Sequence, residues 1–158
     1  MTLHPNALRV QEALVEAGST AAVRELPEST HTSNEAAAAL GVEVDQIAKT
    51  LVFLADGKPV LAVLRGSDRL DPRRLARHVG AARAEQADAE TVQSATGFPV
   101  GGVSPLGLPP GLRVVIDRAL EGYPVIWAAA GAPRAVFPTT FAELMRATSG
   151  ETGDVRQR

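Results

Sequence analysis

The apolar run Leu51-Val52-Phe53-Leu54, the turn Asp56-Gly57-Lys58 and the second run from Pro59 to Leu64 write a β-hairpin into the chain. β-branched and aromatic residues on both sides of an Asp-Gly pair leave few other ways to fold. From Leu51 onward both parities are apolar, so the first strand is expected to be covered on both faces.

Lys49 interrupts this pattern. It stands where the apolar run begins, with the parity of Ile47, Leu51 and Phe53. An ammonium on that side is costly unless it meets an anion, a carbonyl oxygen or water. Of the 16 basic residues only Lys49 and Lys58 are lysine, and Lys58 belongs to the turn. Lysine at this strand mouth has two readings. It is a compact ammonium kept for binding or chemistry, or a side chain that snorkels to solvent.

A chain of 158 residues suits one domain. It can bury roughly 70% of its unfolded surface with no disulfide or metal to help. The absence of cysteine excludes thiol catalysis, disulfides and cysteine-based zinc sites, and fits a cytoplasmic location. Met1 to Pro5 lacks the apolar core of a signal peptide, and no apolar run is long enough to span a bilayer. The histidines His4, His31 and His78 lie far apart, so no metal and no cofactor is expected. His31 reads as a loop side chain rather than a ligand.

The net charge of −2 argues against a global electrostatic hold on nucleic acid. Locally the balance differs. Arg65, Arg69, Arg73, Arg74, Arg77 and Arg83 fall close together, against only Asp68 and Asp71. Arg69, Arg73 and Arg77 are spaced by four, which predicts one helix face, either simply solvated or in contact with phosphates.

The other elements follow from caps and breakers. Helices are predicted over 5–17, ended by Gly18, and over 33–40, where Thr32 and Glu35 form a capping box and Gly41 closes. Further helices are expected over 71–78, over 87–95 and after Thr139 or Thr140. Short strands are expected at 21–26, 82–85, 112–116, 124–130 and 134–137. From Ser149 on, the chain reads as a polar, mobile tail beyond a domain spanning 1–148. Short strands mixed with helices favour a single α+β domain. Its sheet is expected to be mixed and strongly curled, a partial barrel flanked by helices.

Thr96 to Gly107 holds four glycines and two prolines, which makes a shaped loop. It lacks the Gly-Lys-Ser/Thr of a Walker loop and the glycine spacing of a dinucleotide fingerprint. Leu106 stands where a hydrolase elbow requires glycine. Two readings remain: a backbone cradle for a polar ligand and an ordinary tight turn. Ala128 to Gly131 leaves room for a neighbouring backbone or a small ligand.

Four segments together resemble the YbaK/EbsC family, which shares its fold with the editing domain inserted in bacterial prolyl-tRNA synthetases. They are Ala36 to Val42, Ile47 to Phe53, Gly101 to Gly107 and Ala130-Gly131. The resemblance runs from about Glu12 to Thr148. It implies hydrolysis in trans of the ester joining a wrong amino acid to tRNA, most often cysteine or alanine on tRNA(Pro). Aminoacyl-tRNA is the implied substrate, and prolyl-tRNA synthetase is a candidate partner. The family's functional lysine matches Lys49, and its acyl- or adenosine-positioning loop matches Gly101 to Pro105. A ribose hydroxyl of the substrate, rather than a protein nucleophile, is implied to assist. The candidate site is therefore Lys49, Gly101 and Gly102 for the chemistry. Thr32, Val103, Ser104, Pro105, Ala130 and Gly131 are assigned around the substrate, with Arg69, Arg73 and Arg77 on tRNA phosphates. Gly131-Ala132-Pro133 departs from the Gly-His-Pro of alanine-editing relatives, which leaves the amino acid open. The alternative is a tRNA- or nucleotide-binding module of the same fold without turnover.

Overall fold

A computed structural model describes residues 3–158. In chain order the elements are α1 (Pro5–Glu16), β1 (Arg24–Glu25), α2 (Ser33–Leu40), β2 (Ile47–Ala55), β3 (Lys58–Arg65), α3 (Pro72–Val79) and β4 (Ala84–Gln86). Then follow α4 (Ala89–Thr96), β5 (Arg113–Asp117), β6 (Ile126–Ala129), β7 (Ala135–Thr139), α5 (Phe141–Thr148) and β8 (Glu151–Gly153). Short 3-10 turns at Val44–Gln46 and Arg118–Gly122 complete the set.

β2 and β3 form the expected hairpin, in register from Ala48↔Arg65 to Ala55↔Lys58. Asp56 (φ 49°) and Gly57 (φ 81°) both take positive φ, as a turn matched to strand twist requires. The hairpin is the centre of an open mixed sheet ordered β1-β7-β6-β2-β3-β5-β8. The sheet forks at β2. One edge of β2 carries β6, parallel, at Ile47 and Ala48, and further along carries β4, antiparallel, from Phe53 to Ala55.

Both faces of the hairpin are covered. Val52, Leu61 and Val63 share a core with Val10 and Leu14 of α1, Val92 of α4 and Leu144 of α5. Phe53, Ala62 and Leu64 pack with Leu75 of α3 on the other side. Ala36 and Ala37 of α2 close over Ile47. The predicted capping box holds α2 in place: Thr32 Oγ1 accepts from the Glu35 amide at 3.1 Å, and Glu35 accepts from the Thr32 amide at 3.2 Å.

Three expectations are corrected. The strand predicted over 21–26 is confined to Arg24–Glu25. Upstream, Ser19 and Gln11 side chains accept from the amides of Ala21 and Val23, so those amides are already used. The segment from Ser149 is not a mobile tail. β8 pairs parallel with β5, Val155 is fully buried, and the buried Asp117 carboxylate accepts from the Val155 and Arg156 amides and the Arg156 guanidinium. Arg69 does not share a helix face with Arg73 and Arg77, because Asp71 caps α3 and the helix begins at Pro72.

Candidate functional site

The fork in the sheet makes a cavity. Between the end of β6 pairing at Ala48 and the start of β4 pairing at Phe53, one edge of β2 has no neighbouring strand. A cavity of about 320 Å³ opens there. Its floor is β2 from Ile47 to Val52, and its walls come from the loop before α2, the segment after β4, α4, the glycine-rich loop and β6.

Among the described residues, Lys49 and His31 are the only titratable side chains on the cavity wall. The Lys49 ammonium donates to the Gly66 carbonyl at 3.1 Å. Gly66 is bound to be glycine, since a Cβ there would lie 2.2 Å from the Val44 carbonyl oxygen. Burial pushes the Lys49 ammonium below the usual lysine range. Asp68 and Asp45 oppose that fall, and Arg69 adds to it. Burial works to raise the Asp45 carboxyl, yet hydrogen bonds from the Ser67 hydroxyl and amide, with Arg65 and Lys49 nearby, hold it below the ordinary range. The turn after β3 thus presents the Gly66 carbonyl and the Asp68 carboxylate to the cation, and Asp45, before β2, adds a second carboxylate nearby.

The glycine-rich loop enters the wall through Val100, Gly101 and Val103. Gly101 has φ 86°, and a Cβ there would lie 2.2 Å from the His31 ring. The exposed imidazole therefore lies against a bare α-carbon. His31 is held by its loop: its amide donates to Ser29 Oγ at 3.2 Å, and the next residue back, Thr30, donates through its hydroxyl to the Pro133 carbonyl at 2.8 Å.

Helix α1 braces this region from behind. The Arg9 guanidinium lies 4.3 Å from the Phe98 ring centroid, and Asn6 Nδ2 donates to the Gly131 carbonyl at 3.0 Å. Gly131 has φ 84°, and a Cβ there would meet the Phe98 ring at 2.6 Å. A Cβ on Gly102 would lie 3.4 Å from the Gly131–Ala132 backbone. The two glycine turns thus pack on each other.

Of the residues assigned from sequence, Lys49, Gly101, Val103 and Thr32 line the cavity. Gly102, Ser104, Pro105, Ala130 and Gly131 are buried behind that wall. Ser104 Oγ accepts from the Leu106 amide at 3.0 Å and shapes the loop. Thr30, Thr50, Trp127 and Val136 were not assigned to the site from the sequence, and all line the cavity. The one available signal was Thr50's position beside Lys49 on a strand.

The arginine segment divides in two. Arg74 pairs with Asp71 and Asp154. Exposed Arg73 and Arg77 make no ion pair among the described residues, and with Arg83 they flank a surface hollow between α3 and β4. Arg69 is exposed just before α3 and lies near enough to Lys49 to act on its charge.

A family model described as an aminoacyl-tRNA editing domain matches residues 27–147. A proline–tRNA ligase of Nitratidesulfovibrio vulgaris (strain DP4) is 44% identical over 105 residues, 66% of this chain and 18% of that protein. The ligase of Streptococcus equi subsp. zooepidemicus is 35% identical over 126 residues, 80% of this chain and 20% of that protein. The chain thus spans about a fifth of the curated relatives it matches. A crystal structure described as a candidate trans-editing enzyme for prolyl tRNA synthetase superposes with a TM-score of 0.92 at 43% identity, over 99% of this chain and 100% of that one.

Proposed function

The chain belongs to the aminoacyl-tRNA editing domain family, and from that premise we propose that it hydrolyses the ester of a mischarged tRNA in trans. The favoured substrate is tRNA(Pro) carrying cysteine or another small amino acid. Supporting this, the aligned relatives are proline–tRNA ligases, and the similar solved structure carries the trans-editing description. The observation that carries the reading is the half-buried Lys49 ammonium on the wall of a small-residue cavity that also holds Gly101.

An ester is already activated, so orientation and one cation suffice to accelerate its hydrolysis. Water adds to the carbonyl carbon, the bond to the ribose oxygen breaks, and that oxygen takes a proton, with a neighbouring ribose hydroxyl assisting. Lys49 offsets the negative charge that develops on the carbonyl oxygen or on an adjacent phosphate. Ala87, Val92, Val103, Ala128 and Val136 offer the acyl group an apolar wall. Arg69, Arg73 and Arg77 steer the tRNA backbone, and prolyl-tRNA synthetase is the natural source of the mischarged substrate. Such a substrate places the reaction in the cytoplasm.

The test is single-turnover hydrolysis of a panel of mischarged tRNA(Pro) species by wild type, Lys49→Ala and Lys49→Arg. Lys49→Ala is expected to lose about a hundredfold or more in rate, on the scale of one oxyanion donor. Lys49→Arg is also expected to be impaired, because a planar fork does not replace a compact ammonium. Near-wild-type hydrolysis by Lys49→Ala overturns the role. Tight tRNA binding with no turnover on any substrate instead supports a binding module.

A further inference from the structure

The uncovered stretch of β2 is a backbone edge, and backbone edges bind backbone-like groups. The Val52 carbonyl accepts from the Ala87 amide at 3.1 Å, so Val52 directs its main-chain groups toward β4. Alternation along a strand then directs those of Thr50 and Ala48 the same way. Ala48 finds β6, whose ladder ends at Ala48↔Ala128, and the β4 ladder starts at Phe53↔Gln86. The N–H and C=O of Thr50 therefore meet neither strand and face the cavity that Thr50 lines. A second, independent observation falls on the same residue. Thr50 Oγ1 is the one buried side-chain polar atom among the described residues without a hydrogen-bond partner. Buried groups of this kind are normally paired.

We propose that Thr50 pairs with the aminoacyl group as one residue of an antiparallel strand would. This rests on the deacylase reading of the cavity. An aminoacyl ester carries an α-ammonium and a carbonyl on either side of one α-carbon, the layout of a single strand residue. A hydrogen-bonded antiparallel pair exchanges two bonds between two facing residues. The α-ammonium donates to the Thr50 carbonyl, and the Thr50 N–H donates to the ester carbonyl oxygen. The mode is strand addition reduced to one unit. The N–H then remains on that oxygen as water adds and negative charge develops, so Thr50 acts through its main chain beside Lys49. A turn of Thr50 to another staggered χ1 moves the hydroxyl to a different flank of Cβ, where a bound ligand can partner it.

The pairing explains how the site takes an amino acid without a charged side chain to hold the ammonium. A main-chain carbonyl does so, and it cannot be lost by substitution. The acyl side chain then projects from the edge toward the small residues of the wall.

The test uses 3′-deoxy-3′-(L-alanylamino)adenosine, whose amide link resists hydrolysis, added to the intact chain. Amide exchange and chemical shifts are followed by NMR. Exchange of the Thr50 amide is expected to slow at least tenfold at saturation, with the Gly57 amide in the hairpin turn unchanged. The lactyl analogue, with hydroxyl in place of ammonium, is expected to bind at least tenfold more weakly. If the alanyl analogue shifts Lys49 and Gly101 signals but leaves Thr50 exchange untouched, the pairing is wrong and the deacylase reading stands. If the analogue shifts no cavity residue, the pairing is overturned, and the mischarged-tRNA panel decides whether the deacylase reading falls with it.

Discussion

At the scale of the residue, Lys49, Thr50 and Gly101 each yield a measurement. Burial disfavours the charged form of Lys49, so its ammonium is a standing cost to the folded state wherever it is protonated. Its folded pKa lies below the ordinary 10.5. As pH rises from that depressed value toward 10.5, the unfolded state holds more protons and the cost fades. Lys49→Met is therefore expected to be more stable than wild type at pH 7, with the difference shrinking on the alkaline side; denaturant titrations across pH check this. Hydrolysis should fall on an alkaline limb that begins below the ordinary lysine range. Thr50→Val keeps the shape and removes a partnerless hydroxyl, so it should stabilise by about 1 kcal/mol. Gly101→Ala forces a side chain into positive φ at about 1–2 kcal/mol. His31→Ala in the same chain should recover only the steric share, as paired melting curves would separate. The lysine was legible because a charge breaks an apolar parity. Thr50 was not, since a threonine in a strand looks ordinary until the register shows its edge to be unpaired. His31 was read as a loop side chain, and it is one. That it lies against Gly101 depends on a contact across 70 residues that no local pattern encodes.

Among elements, helices were the most legible, because their ends are set by local chemistry. Thr32, Asp71, Asp88 and Thr140 each cap a helix through an amide two or three residues on. β8 was invisible for the opposite reason. Glu151-Thr152-Gly153 has no apolar alternation, and its pairing partner β5 lies far upstream. Its anchor is Asp117, with Arg156 as the cation. Arg156→Ala leaves that carboxylate buried beside amides alone and should cost about 3 kcal/mol, read from urea titrations with the slope checked. Acid should loosen the same element. The Arg113 hydrogen bond holds the Glu151 carboxyl below its usual range. That contribution is present at neutral pH and is lost as pH falls through the depressed value. Amide exchange at Glu151 to Gly153 should accelerate there before exchange in β2 does.

For the whole molecule, charge and connectivity matter most. Arg69, Arg73 and Arg77 are exposed, outside the cavity wall, and make no ion pair among the described residues. Their triple alanine variant should keep its melting temperature. Its tRNA binding should weaken, and the slope of log affinity against log salt should flatten by about 2. An unchanged slope would return them to the solvated surface. The α+β class was legible from the mixture of short strands and capped helices. The forked order of the sheet was not, because β1–β7, β2–β6 and β3–β5 join segments far apart in the chain. That connectivity bears on how the cavity comes into being. Its floor and walls are drawn from four separated stretches, 30–36, 47–52, 86–103 and 127–136. Loop-closure entropy delays distant pairings, so the hairpin should form early and the β2–β6 ladder late. Diluted from denaturant, the protein should regain helical circular dichroism first, and catalytic competence should return only with the slowest folding phase.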